Sequence, residues 1–261
     1  MSKPALHVTT FNIHKGFSQF NRRMMVHELR ERLRHLNPDI VFLQEVQGLH
    51  LGHAESHGNW PSEPQYEFLA EDVWHAAAYG QNMAYDHGHH GNAILSRFPI
   101  LHTHNQDVTH LQFEKRGLLH CRIELPDGPA AHCVCVHLSL FGYSRRRQMA
   151  ALADYLDTVA TSNEPLIIAG DFNDWRRKAD RTLTDALGVV EVFEEFKGRP
   201  ARTFPSMMPV FRLDRIYARG LNVVDARVHY AFPSARMSDH AALAATFEVQ
   251  TAGRCARCRS R

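Results

Sequence analysis

Apolar and polar residues alternate in two stretches of the chain and form uninterrupted apolar runs in three others. Residues 119–125 and 243–249 place an apolar side chain at every second position, which predicts strands with one buried face. The runs at 40–43, 134–136 and 166–168 contain only apolar residues. Such runs are typical of central strands that are covered on both faces.

Two helices are predicted by apolar residues that recur every three or four positions. The first covers residues 22–36, with a stripe from Met25 to Leu36, and ends at Asn37-Pro38. The second covers residues 145–160, and Ser144 is its expected N-cap. Each helix leads into an apolar run, which favours sheets packed face to face with helices outside.

The chain length of 261 residues suits one large domain or two small ones. No repeat or linker divides it before residue 250, so we expect a single domain at 1–250 and a basic, disordered tail at 251–261. Residues 48–90 are rich in Gly, Pro and His and predict a long, partly irregular surface excursion. Cys255 and Cys258 in the tail form one Cys-x-x-Cys pair, a weak signal for zinc or redox regulation.

Composition limits the classes of function. Hydrophobic residues make up 44% of the chain and charged residues 22%, which is ordinary for a globular protein. A net charge of +2 argues against a strongly basic nucleic-acid clamp. Cys121, Cys133 and Cys135 lie in strand-like runs and are expected to be buried. No leader and no membrane-length apolar stretch is evident in the sequence, so a cytoplasmic, monomeric protein is expected.

Two polar segments, 170–174 and 238–240, mark the candidate chemistry. Each places a carboxylate, Asp171 or Asp239, at the end of an apolar strand-like run, and active sites draw their ligands from several strand ends. Glu45 likewise ends the apolar run at 40–43. It either marks the exit of that strand to solvent or is a ligand for a hard cation such as Mg²⁺.

Three further polar residues interrupt or end strand-like runs, and each has two interpretations. Asn12 is a structural hydrogen-bonding residue, or it orients a carboxylate or a metal-bound water. His137 is a satisfied core residue, or it donates a hydrogen bond to a phosphate oxygen. Asp214 lies within a strand, where an unpaired carboxylate is costly, and His240 is its natural partner.

The order of these segments resembles the endonuclease/exonuclease/phosphatase superfamily, the fold of deoxyribonuclease I. The similarity covers residues 5–249, and its segments in this sequence are Asn12, 43–45, 91–96, 136–138, 170–173, 213–216 and 238–240. Within the superfamily the chain is similar to the small bacterial YbhP-like branch, through residues 12–17, 88–92, 170–175 and 199–205.

The resemblance implies an α/β fold, a four-layer α/β/β/α sandwich of two facing mixed sheets with helices outside. It also implies a phosphoesterase site that uses Mg²⁺, with Mn²⁺ as an alternative. Glu45 would be the principal metal ligand, with Asn12 and Asp239 in or next to the metal shell.

The resemblance also implies roles for the catalytic residues. Asp171 and Asn173 would position the attacking water and the phosphate, and His137 would bind a phosphate oxygen. Asp214 would orient His240 and raise its basicity. Whether His240 or Asp171 is the general base stays open.

Basic residues follow the catalytic segments: Lys15 follows Asn12, residues 145–147 follow His137, and residues 176–178 follow Asp171. They are either solvated surface charge or a cationic rim that attracts an anionic substrate. His87, His89 and His90 belong either to this rim or to an ordinary polar loop. The candidate substrate contacts are Asn92, Arg145 and Arg176.

The sequence therefore predicts a divalent-metal-dependent phosphoesterase that hydrolyses a phosphodiester, nuclease-like or phospholipid-type, or a phosphomonoester by in-line attack of water. Its substrate would be a nucleic acid, a phospholipid headgroup or a small phosphate ester. Phe172 and residues 13–17 depart from the motifs of inositol polyphosphate phosphatases and of abasic-site endonucleases, respectively. The alternative is a non-catalytic module on the same fold that binds anions or nucleic acid.

Overall fold

Two six-stranded sheets of mixed direction form the centre of the protein. The computed structural model describes residues 5–21, 23–50, 52, 58–126, 128–161, 164–175, 179–230 and 237–249. The strands are β1 (Ala5–Asn12), β2 (Ile40–His50), β3 (Ala76–Tyr85), β4 (Gly88–Ser96), β5 (Ile100–Asp107), β6 (Gly117–Ile123), β7 (Ala131–His137), β8 (Leu166–Asp171), β9 (Val190–Glu191), β10 (Asp214–Arg219), β11 (Asn222–His229) and β12 (Ala242–Glu248). Their order is β11-β12-β1-β2-β4-β3 in one sheet and β5-β6-β7-β8-β10-β9 in the other.

Helices lie outside the sheets. They are α1 (Val26–Leu36), α2 (Gln65–Ala70), α3 (Gly142–Val159), α4 (Ala179–Leu187) and α5 (Val192–Lys197), with short 3₁₀ turns at His14–Gly16 and Gln19–Asn21. The predicted four-layer sandwich is confirmed. No helix among the described ranges is both long enough and apolar enough to cross a membrane.

Three apolar clusters hold the layers together. The cluster between the sheets contains Phe42, Cys121 and Phe247, so the alternating stretches do point one face inward as predicted. The stripe of α1 packs on the first sheet, and the stripe of α3 packs on the second. The three cysteines of β6 and β7 are free and buried, as expected.

Three sequence predictions need correction. The first helix begins at Val26 rather than residue 22, and the second begins at Gly142, so Ser144 is not its N-cap. The Ser144 hydroxyl instead lies 2.8 Å from His110 Nδ1. Residues 48–90 are also more regular than predicted, because β2 continues to His50 and α2, β3 and the start of β4 follow. Residues 58–64 are irregular, as the sequence predicts.

The strand ends of both sheets meet at one edge of the sandwich. Strands β1 and β2 run parallel and pair Asn12 with Gln44. Strands β7 and β8 also run parallel and pair His137 with Asp171, which is opposite Asp214 on β10. The carboxyl ends of parallel neighbours lie at the same sheet edge, and this brings the candidate residues together.

Candidate active site

Asn12, the last residue of β1, connects the two sheets. Its Nδ2 lies 3.4 Å from Glu45 Oε1 and 3.3 Å from Asp171 Oδ2. Its Oδ1 accepts a hydrogen bond of 3.1 Å from the His14 backbone N–H. The amide thus orients two carboxylates, and its Oδ1 retains a second lone pair beside the one that accepts from His14.

Glu45 lies at an irregularity inside β2 rather than at its end. The pairing of β2 with β4 shifts between Leu43 and Val46, and Glu45 has a φ of +56°. This backbone region is costly for a side chain other than Gly, by about 1–3 kcal/mol. The strained residue turns its carboxylate into the cavity at the strand ends, while the strand continues beyond it. The prediction that β2 ends at Glu45 is therefore wrong.

Asp171 lies at the end of β8, and its two carboxylate oxygens have different partners. Oδ1 accepts a hydrogen bond of 2.9 Å from the Asn173 backbone N–H. Oδ2 faces the Asn12 amide and lies 3.6 Å from His137 Nε2 and 3.7 Å from His240 Nε2. Burial raises the pKa of Asp171, the His240 charge opposes the rise, and the Asp214 charge adds to it. Oδ2 is therefore the atom available for chemistry.

Gly170 explains how β8 delivers Asp171. Its φ is +145°, and a Cβ there would overlap the Val136 carbonyl oxygen on β7. Only Gly permits this close approach of the two strands. The Gly that precedes the carboxylate in the sequence is thus a packing requirement of the site.

Asp214 and His240 form a buried pair. His240 Nδ1 lies 2.8 Å from Asp214 Oδ2, and the Phe204 ring packs at 5.0 Å from the imidazole, centroid to centroid. Burial alone would lower the pKa of His240, but the charges of Asp214 and Asp171 outweigh that effect and raise it. The predicted partnership of these two residues is present in the structure.

His137 is the last residue of β7, and its surroundings lower the pKa of its imidazole, whereas those of His240 raise it. Burial is the main cause that holds its pKa well below the ordinary value, and the charges of Arg116, His240 and His90 add to it. A neutral imidazole beside the Asp171 carboxylate can donate one hydrogen bond without bringing a charge. That property suits a contact with a phosphate oxygen.

These residues surround an open cavity of about 620 Å³. Glu45, Asp239, Asp171, His137, His240 and Asn173 all contribute to its wall. The wall also contains three cationic or basic side chains, from Lys15, His90 and Arg116. Its remaining lining is apolar and comprises Leu140, Trp175, Phe204, Phe211 and Leu213. The cavity therefore has an acidic centre with basic and apolar walls.

Two sets of groups at the site have the composition of a metal site. Asp171, Asp214 and His240 offer ligand atoms within 4.8 Å of one another, the only such set of three in the described parts of the chain. However, the 2.8 Å contact inside this set is a hydrogen bond that occupies His240 Nδ1. Glu45 and Asp239 offer oxygen ligands at the cavity wall, and hard cations such as Mg²⁺ prefer oxygen. The second set fits such a cation better.

Asp239 is held beside β1 by its neighbours. The Ser238 hydroxyl donates a 2.7 Å hydrogen bond to the Asn12 carbonyl and lies 3.4 Å from Asp239 Oδ1. His14 Nδ1 lies 3.4 Å from the same oxygen. The carboxylate of Asp239 therefore lies near the Asn12 end of the cavity, where Glu45 also points.

The predicted substrate contacts are placed differently. Asn92 is buried and donates to the Gly117 and Cys135 carbonyls, so it ties β4 to the second sheet and does not line the cavity. Arg145 is 5% exposed and donates to the Ser139 and Leu140 carbonyls. Its guanidinium supports a loop instead of facing solvent. Arg176 lies outside the described residues.

The cationic rim is only partly where the sequence predicts it. Lys15 and His90 line the cavity, whereas His89 Nδ1 contacts the Tyr79 hydroxyl at 2.9 Å. Arg116 and the apolar wall were not predicted. Arg116 precedes β6 without any motif, and Phe204 and Phe211 come from a loop that meets the cavity only through the fold.

Comparisons with known proteins agree with this geometry. Residues 9–240 match the sequence profile of the Endonuclease/Exonuclease/phosphatase family. Over 246 residues the chain is 48% identical to the protein YbhP of Escherichia coli (strain K12), with 93% of this chain and 96% of that protein covered.

Solved structures have the same fold. An endonuclease/exonuclease/phosphatase from Beutenbergia cavernae DSM 12333 aligns with a TM-score of 0.74 at 18% identity, over 94% of this chain and 72% of that one. TDP2 of D. rerio, complexed with single strand DNA product, aligns with a TM-score of 0.68 at 20% identity, over 93% of this chain and 98% of that one. These matches support the predicted fold and the predicted resemblance.

Proposed function

Because this chain belongs to the endonuclease/exonuclease/phosphatase family, we propose that it hydrolyses a phosphate ester by in-line attack of water with the help of a divalent cation. The reaction adds water across a P–O bond of a phosphodiester or a phosphomonoester. One observation carries the proposal: a buried carboxylate–imidazole pair, a second buried carboxylate and two cavity-wall carboxylates converge at one open cavity.

The residues around Asp171 Oδ2 have complementary tasks in this proposal. Asp171 Oδ2 lies 3.7 Å from His240 Nε2. Both groups are therefore near the place where the attacking water must lose a proton. Asp214 fixes the His240 tautomer and favours its charged form. His240 then stabilises developing charge or transfers a proton, and Asp171 orients the water. Neutral His137 donates a hydrogen bond to a phosphate oxygen.

The donor set suits Mg²⁺ or Mn²⁺. Glu45 and Asp239 would hold the cation through carboxylate oxygens, and Asn12 would keep Glu45 in place. When bound, the cation supplies positive charge that offsets the phosphate and the developing transition state. The strained backbone of Glu45 is consistent with a residue retained for such a task.

The test is hydrolysis of bis(p-nitrophenyl) phosphate and p-nitrophenyl phosphate by metal-free protein to which Mg²⁺ or Mn²⁺ is added back. We expect the E45Q variant to lose at least about 10²-fold in kcat/KM, because even groups that only support a ligand cost 10–100-fold. Thermal stabilisation by the metal should also be lost in E45Q. E195Q, which alters an exposed Glu on α5, is the matched control and should retain both properties.

Two results would contradict the proposal in different ways. Full turnover in excess chelator would show that the reaction needs no divalent cation. Failure to hydrolyse either ester with either metal, combined with binding of phosphate-containing ligands, would favour the non-catalytic module instead.

A further inference from the structure

Two loops that contribute to the cavity wall carry five exposed apolar side chains. We call them the apolar rim: Leu140, Phe141, Met207, Met208 and Phe211. Their exposed fractions range from 46% for Phe211 to 74% for Met208. Two of the five, Leu140 and Phe211, also line the cavity itself. The rim is therefore continuous with the wall against which a substrate would bind.

Four of the rim side chains form two pairs of neighbours in the chain, 140–141 and 207–208. Contiguous exposed apolar patches mark membrane, partner or ligand contacts. Leu140, Met207 and Met208 have no planar group, so they cannot stack on nucleic-acid bases as aromatic platforms do. The rings of Phe141 and Phe211 can stack, but they are two of the five rim side chains. The chemistry of the rim as a whole therefore fits acyl chains better than bases.

Cationic side chains lie beside the rim. Arg146 and Arg147 are exposed in the first turns of α3, directly after the Leu140 loop. The Arg146 guanidinium lies 5.7 Å from the centroid of the exposed Tyr143 ring. Exposed apolar side chains that are followed in the chain by arginines and a tyrosine have the composition that suits a membrane surface with anionic lipids.

We propose that the apolar rim inserts into a lipid surface and that the substrate is a phosphate ester of a lipid presented there. This rests on the proposed phosphoesterase activity. The phosphate would reach the acidic centre of the cavity while the apolar part of the lipid stays against Leu140 and Phe211. In hydrolysis the water oxygen bonds to phosphorus and the P–O ester bond breaks. The departing alcohol takes one proton of the water. The oxygen and the other proton of the water remain on the phosphate product as a hydroxyl group.

Binding and turnover are measured separately. Binding is followed by cosedimentation of the full-length protein with phosphatidylcholine vesicles, with and without phosphatidylglycerol, in chelator so that no turnover occurs. Turnover is measured with metal on phosphatidylglycerol in the same vesicles and on soluble bis(p-nitrophenyl) phosphate. We expect binding to the anionic vesicles and a vesicle-to-soluble activity ratio that depends on the rim.

The M207S/M208S double variant tests the rim. Burial of one large apolar side chain is worth about tenfold or more in an equilibrium constant, so the variant should bind vesicles at least about tenfold more weakly. The F141S variant, on the other loop, should weaken binding independently. L101S is the matched control, because Leu101 is 52% exposed and lies at the opposite end of the second sheet. It should bind like the unaltered protein.

The outcomes separate this proposal from the activity on which it rests. Turnover of the soluble ester without vesicle binding overturns the lipid proposal and leaves the phosphoesterase intact. Vesicle binding that needs the rim, without turnover of any ester, supports the surface contact and refutes the activity. Two further results would overturn the proposal: tighter binding of single-stranded DNA that is lost in M207S/M208S, and a dimer in sedimentation velocity that the same variant dissociates.

Discussion

Removal of the Asp214 charge is the sharpest test of the buried pair. At 2.8 Å between Asp214 Oδ2 and His240 Nδ1 and an effective dielectric constant of about 20, the attraction between carboxylate and imidazolium is about 6 kcal/mol. The cost of taking both groups out of water offsets part of it. D214N keeps the side-chain shape but removes the charge and permits the wrong imidazole tautomer.

The expected rate losses follow from the roles of the two residues. Proton transfer by a positioned side chain is worth about 10²–10⁴-fold, so H240A should lose that order in kcat/KM. D214N should lose at least about 10²-fold. The double variant should remain within about twofold of the worse single variant, because groups that act as a unit are not additive.

The assay is steady-state hydrolysis of a soluble phosphodiester at saturating metal, across the pH range. Asp214 raises the pKa of His240, so the limb of the pH–rate profile that reports His240 should move to lower pH in D214N. D154N, at an exposed position of α3, is the matched control, and circular dichroism checks the fold of each variant. If the two losses multiply, Asp214 and His240 act independently and the pair has no catalytic meaning.

Three further predictions concern the fold. G170A should unfold at lower temperature in a calorimetric scan and lose activity, because its Cβ would overlap the Val136 carbonyl; unaltered stability would mean that β7 and β8 can separate freely. Burial is the main cause that lowers the pKa of His120 to about 4, so the unfolded state binds more protons than the folded state between about pH 4 and 6.5. The free energy of unfolding should therefore fall by at most about 3 kcal/mol as the pH is lowered from about 6.5 to about 4. Urea titrations should show a smaller fall for H120Q and the full fall for H35Q, at an exposed histidine; equal falls in both would refute the assignment. Deletion of residues 251–261 should leave folding and hydrolysis unchanged by circular dichroism and steady-state assay, in keeping with a domain at 1–250, and a loss of either would give the tail a role.

Periodicity predicts the layers of this fold because burial decides them. The runs that become β2, β7 and β8 and the stripes of α1 and α3 are all read from the spacing of apolar residues. The first and last residues of these elements are harder to predict from the sequence. The start of α3 depends on the Leu140 loop, which Arg145 holds through backbone carbonyls. That contact leaves no signal in local sequence.

The candidate site divides in the same way. Residues at strand ends, such as Asp171 and His240, are predictable because a polar group next to an apolar run is locally visible. The direction of a side chain is not visible: Asn92 points between the sheets, and Glu45 depends on an irregularity inside β2. The apolar wall also escapes prediction, because exposed and buried Phe residues look alike in a sequence.

The pairing of β1 with β12 has a consequence for the synthesis of the protein. Residues 5–10 pair with residues 243–248, more than 230 positions later, and the Ser238 hydroxyl donates a hydrogen bond to the Asn12 carbonyl across 226 positions. Contacts between such distant segments form late in folding. Until residues 238–248 have been synthesised, a nascent chain therefore lacks Asp239 and His240 beside Asn12, and it can fold much of the second sheet without being able to cleave a phosphate ester. Activity should return last during refolding, after the far-ultraviolet circular dichroism has already regained most of its native signal.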